Sequence, residues 1–97
     1  PLQRGKEMTS IDEKLIQLNK EVVQLFQNKK YSEAIEIGEQ ALEFGKIKLG
    51  PKHPNTITAL NNLALLYDRI GDHARAEPLR QWNQQLFTNE TWETQTA

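Results

Sequence analysis

Cysteine is absent from the 97 residues, which removes disulfides, thiolate chemistry and cysteine-ligated zinc. Neither sign of charge is in excess: 12 Lys and Arg stand against 13 Asp and Glu, leaving −1 at pH 7. Nucleic-acid binding needs a cationic surplus to displace phosphate counterions, so it is not expected. A polybasic membrane anchor is not expected either, on the same ground. No apolar run approaches the roughly 20 residues that cross a bilayer, and no signal-peptide pattern opens the sequence. The lack of cysteine fits a reducing compartment, and cytoplasmic residence is the expectation. Only four prolines and five glycines punctuate the chain, so where they fall carries information. A hydrophobic share of 37% and a charged share of 26% suit one small globular domain or a piece of a larger one.

What is present is a repeat. A shift of 42 residues sets Leu18-Asn19 on Leu60-Asn61, Val23 on Leu65, Leu25 on Tyr67, Ala34 on Ala76, Ile37 on Leu79 and Phe44 on Leu86. Identities are few, but the apolar positions coincide across two helices and the turn between them. Residues 10–28 read as the first helix. Ser10 and Glu13 have capping-box spacing, and Ile11, Leu15, Leu18, Val22 and Leu25 form one stripe. Residues 31–49 read as the second. Glu33, Glu36, Glu39 and Glu43 mark a solvated face, and Ala34, Gly38, Ala41 and Gly45 form a row of small residues. Mid-helix Gly costs about 0.5–1 kcal/mol relative to Ala, so two on one row point to a close helix–helix approach.

The segment Gly50-Pro51-Lys52-His53-Pro54 ends this hairpin, with Pro54 suited to the first turn of a third helix over 54–70. That helix carries Ile57, Leu60, Leu63, Ala64 and Tyr67, and Gly71-Asp72 supplies the turn into a fourth over 73–87. Pro78 must sit within the first turn or two of the fourth helix, because it would break a later one. Residues 1–8 and 89–97 are polar and expected to be flexible, leaving 9–88 as the folded part, with units at about 10–50 and 54–87.

The run Leu42-Glu-Phe-Gly-Lys-Ile-Lys-Leu-Gly-Pro-Lys-His-Pro-Asn-Thr-Ile-Thr-Ala-Leu-Asn-Asn-Leu-Ala-Leu-Leu-Tyr67, completed by Ala76-Glu77-Pro78-Leu79, resembles the 42-residue tetratricopeptide repeat of kinesin light chains and many bacterial repeat proteins. The first unit matches less well, with Glu21 in the place of Leu63 and Lys29 in the place of Gly71. The resemblance implies an all-α fold, an α-solenoid fragment of two helix-turn-helix repeats with four helices. It implies a protein–protein interaction module whose first helices line a concave groove for an extended peptide or partner helix. The groove positions carried over are Asn19, Lys20, Val23, Gln27, Asn61, Asn62, Leu65 and Arg69. Asn side chains offer a donor and an acceptor to a peptide backbone, and Lys20 and Arg69 suit an acidic residue or carboxylate. Val23 and Leu65 depart from the carboxylate-clamp pattern of chaperone-binding relatives, so chaperone C-terminal tails are not expected ligands.

In the fourth helix Arg80, Asn83 and Phe87 replace Gly38, Ala41 and Gly45. A further repeat is not expected to dock there, whereas Ile11, Leu15 and Ile16 look able to accept a preceding element. Two repeats are fewer than the three that solenoids usually need. Either self-association through the N-terminal helix or by helix exchange, or origin in a longer array, is therefore expected, and a self-assembling structural unit is the alternative function. His53 and His73, both in turns, read as structural or exposed rather than as metal ligands, and no metal or cofactor is expected. No nucleophile–base constellation or phosphate-binding glycine loop appears, so an enzyme is not expected. Trp82 reads as a packing residue of the last helix. Trp92, between Glu90-Thr91 and Glu93, is an acid-flanked aromatic in the tail, and Asn89-Glu90-Thr91 matches a glycosylation acceptor only by coincidence.

Overall fold

The computed structural model describes the backbone of residues 10–96 and the side chains of residues 10–86. Four α-helices follow one another among the described residues: α1 (Ser10–Gln27), α2 (Tyr31–Lys48), α3 (Pro54–Arg69) and α4 (His73–Thr96). They form two helical hairpins side by side. The third helix is the hub, packing on α2, α4 and α1. None of the helices is long and apolar enough to cross a membrane.

Both hairpins close in the same way. Lys30 N–H donates to the Leu25 carbonyl at 2.8 Å and Lys29 N–H to the Phe26 carbonyl at 2.9 Å. Forty-two residues on, Asp72 N–H donates to Tyr67 at 2.8 Å and Gly71 N–H to Asp68 at 3.0 Å. Such a closure requires a left-handed residue after the helix. Gly71 takes it freely at φ 85°, but in the first hairpin Lys29 is forced to φ 63°. The turns differ again one residue later. Asp72 caps α4 through its carboxylate, which accepts from Arg75 N–H at 3.2 Å, while Lys30 offers α2 no side-chain cap. The start of α3 is capped by His53, whose Nδ1 accepts from Asn55 N–H at 3.0 Å, with Pro54 in the first turn.

The small-residue row of α2 is the seam between the hairpins. Ala34, Gly38, Ala41 and Gly45 are all buried, and α3 answers with Thr56, Ala59, Leu63 and Leu66, each at most 3% exposed. A Cβ on Gly45 would lie 2.6 Å from Thr56 Oγ1 and 3.0 Å from Leu15 Cδ2; one on Gly38 would lie 3.1 Å from Leu63 Cδ1. Across this seam the Tyr67 hydroxyl donates to the Glu39 carboxylate. Burial and the Glu39 carboxylate push the Tyr67 phenol up from 10.0 to about 12.

The fourth helix is longer than its sequence pattern indicates, continuing past residue 87 to Thr96. Pro78 falls in its second turn, as expected, and withholds an N–H from the Ala74 carbonyl. Trp82 is half-buried against the core, with Lys46 Nζ 5.1 Å from its ring centre. The segment 1–8 lies outside the described residues, and so does the side chain of Trp92.

Gly45→Ala gains helix propensity yet destabilises by about 1–3 kcal/mol through overpacking, because Thr56 and Leu15 are enclosed on all sides. Gly38→Ala stays within about 1 kcal/mol of wild type, since only the tip of Leu63 must yield. Denaturant unfolding of both variants checks the difference. Replacing Lys29-Lys30 with Gly-Asp, as in the second hairpin, relieves the strained turn and adds a cap, stabilising by about 1–2 kcal/mol in the same assay. Tyr67 keeps its proton more tightly folded than unfolded, so its contribution is full below pH 10, and rising pH removes it between 10 and about 12. Tyr67→Phe costs about 1 kcal/mol at neutral pH and flattens that alkaline decline, read as unfolding midpoint against pH.

Candidate functional site

One continuous groove runs between α1 and α3. Its first half is lined by Ile16, Asn19, Lys20, Val23 and Gln24 from α1 and by Asn55, Thr58 and Asn62 from α3. The second half is lined by Val22, Val23, Phe26 and Gln27 against Asn62, Leu65 and Leu66. Val23 and Asn62 belong to both halves. The α1 positions 16, 20, 23 and 27 and the α3 positions 55, 58, 62 and 65 recur at helical spacing, so each helix presents one face to the groove.

Of the eight positions expected from the sequence, the fold brings six together here: Asn19, Lys20, Val23, Gln27, Asn62 and Leu65. Val23 and Leu65 are exposed at 41% and 48% despite being aliphatic, and they face each other across the groove's second half. Arg69 lies at that end, its guanidinium carbon 5.0 Å from the centre of the Phe26 ring. Asn61 is exposed and lines neither half.

Asn19 has a different job from the one its position suggests. It is only 7% exposed, and its side-chain amide donates to the Asn55 carbonyl at 3.1 Å, tying α1 to α3. Its Oδ1 and the Nδ2 of Asn62 are buried without a hydrogen-bond partner among the described residues. Ile16, Asn55, Thr58 and Phe26 went unassigned from sequence. The first three sit on the same helical stripes as the assigned residues, so periodicity alone could have added them.

The electrostatics of the groove are one-sided. Among the described residues no carboxylate lines either half, although the chain has 13 acidic residues. Lys20 contributes a cation, and Arg69 stands at the end. Arg75 and Arg80 are paired with carboxylates, whereas Arg69 has no ion pair among the described residues. A second hollow, between α2 and α4, differs. There Glu39 accepts from Tyr67 and Glu43 lies 3.8 Å from Lys46, so the charges of the lining answer one another. The histidines serve the turns: His53 Nε2 is 3.6 Å from Asp12, and His73 Nδ1 is 2.9 Å from Asp68.

Two equivalent hairpins, a small-residue seam and a groove between their first helices define a helical-repeat interaction module. The family profile of the tetratricopeptide repeat matches residues 18–81, and the chain belongs to that family. Repeats of this kind generally mediate protein–protein interaction. No curated protein and no solved structure matches the chain.

Proposed function

We propose that the α1–α3 groove binds a short extended segment of another polypeptide, one that carries an apolar side chain beside an acidic residue. The observation that carries this reading is the composition of the lining: exposed Val23 and Leu65 in its second half, amides along it, cations at Lys20 and Arg69, and no carboxylate among the described residues. Exposed aliphatic pairs in a concave site favour an apolar side chain. Gln24, Gln27 and Asn62 give donors and acceptors to a peptide backbone, which has both. Arg69 stacked on Phe26 is held in place and keeps its N–H groups for a carboxylate.

Length follows from geometry. From Ile16 to Gln27 the groove spans about 16 Å at 1.5 Å per helical residue, room for about five residues of extended chain. Affinity therefore rests on few contacts, and its charged part weakens with salt.

The test is an array of hexapeptides with one apolar residue flanked by Glu, compared with the same array carrying Lys in place of Glu. The full chain is expected to retain the acidic set. Val23→Arg and Leu65→Arg each lower affinity at least about tenfold, equivalent to about 1.4 kcal/mol. Ile47→Arg, on an exposed part of α2 away from the groove, leaves it unchanged. Equal retention of both arrays, or affinity that survives the Val23 and Leu65 changes, defeats the assignment.

A further inference from the structure

The α2–α3 seam shows what one hairpin needs in order to dock on another. The receiving helix must be bare along Gly38, Ala41 and Gly45, and the arriving helix must be apolar or small along Thr56, Ala59, Leu63 and Leu66. The same 42-residue shift identifies the corresponding outer stripes of the pair. On α1 the stripe is Lys14, Gln17, Glu21 and Gln24, all four exposed; the first three line a shallow hollow with Ser10 and Glu13, and Gln24 also borders the groove. On α4 the row is Ala76, Arg80 and Asn83, with Arg80 held by Asp68 from α3 and by Glu77 at 2.7 Å. Of the three residues that suggested an attachment point at the start of the array, Ile11 is 38% exposed and the other two do not provide one. Leu15 is 0% exposed inside the pair, and Ile16 faces the groove.

We infer that the hairpin pair is closed at both ends, neither outer face being able to take another hairpin in the way α2 takes α3. Docking on α1 would bury Lys14 and Glu21 and two amides against a small-residue row that offers them no partners. Docking on α4 would drive a helix onto an anchored guanidinium, at the position where α2 has no side chain at all. The closure lies in these side chains, whatever sequence flanks the pair, and it stands independently of what the groove binds. Head-to-tail stacking of copies is thereby blocked.

Two variants of the full chain test it. One opens the first face (Lys14→Thr, Gln17→Ala, Glu21→Leu), the other the last (Arg80→Gly, Asn83→Ala, Phe87→Gly). Circular dichroism checks that each remains helical, and sedimentation velocity at high micromolar concentration reads assembly. Wild type is expected to sediment as an 11.2 kDa monomer. An equimolar mixture of the two variants is expected to form a one-to-one complex, which wild type forms with neither. Self-association of wild type that Glu21→Arg abolishes would overturn the inference without touching the groove reading. So would a mixture of two helical variants that stays unassembled.

Discussion

The backbones of α2 and α3 come together across Gly38 and Gly45, the two described glycines at which an added Cβ would meet a neighbouring helix. At Gly45 even a methyl group would fall within 3.0 Å of Thr56 Oγ1 and reach Leu15. Each mid-helix glycine gives up about 0.5–1 kcal/mol of helix stability relative to Ala. The approach it permits encloses Leu15, Thr56, Leu63 and Leu66, none more than 3% exposed. Burying a large aliphatic side chain contributes about 1.5–3 kcal/mol, so the exchange favours the seam. Its depth also fixes the spacing of α1 and α3, because α3 rests on both α2 and α1. The groove is thus a by-product of where two glycines stand.

Much of this was legible in the chain because packing leaves periodic marks. The 42-residue shift, the Ala-Gly row and the position of Pro78 all appear in the structure where the spacing puts them. Even the imperfect match of Lys29 to Gly71 is informative, since both take the left-handed conformation. Other features leave no such mark. Periodicity shows which face a polar residue is on but not whether a neighbouring helix has already engaged it, so Asn19 read as a ligand-binding amide although Asn55 holds it. Adjacent Asn61 and Asn62 looked like a pair, but only Asn62 lines the groove. Leu15 and Ile16 read as an open apolar edge because sequence does not distinguish the inward side of a first helix from its outer side. The extent of α4 was hidden for a simpler reason: the stretch after residue 87 is polar and has no apolar stripe to count.

Charge placement separates the groove from the rest of the surface. At several places outside the groove cations and carboxylates pair, as in Arg80 with Asp68 and Glu77, or Lys46 with Glu43. Exposed pairs of this kind contribute little stability, but they neutralise the faces that carry them. In the groove Lys20 meets no carboxylate in the lining, and Arg69 is stacked rather than paired. Positive potential there is left for whatever enters. On the proposed reading, specificity for an acidic segment needs only this asymmetry, together with rejection of basic segments by the same charges.

The polar outer stripes and the groove bear on each other. A solenoid that adds hairpins lengthens its groove and can gather affinity from many weak contacts. A pair whose end faces are occupied by Lys14, Glu21, Arg80 and Asn83 has only α1 and α3 to border its site. Selectivity then depends on a few fixed groups. Val23 and Leu65 are held by rigid helices, and Arg69 is braced on Phe26, which limits the entropy lost when a ligand orders them. If the faces are closed and the groove binds as proposed, the polar residues of those faces also set the scale of recognition: one short segment, read by a handful of side chains that are already in place.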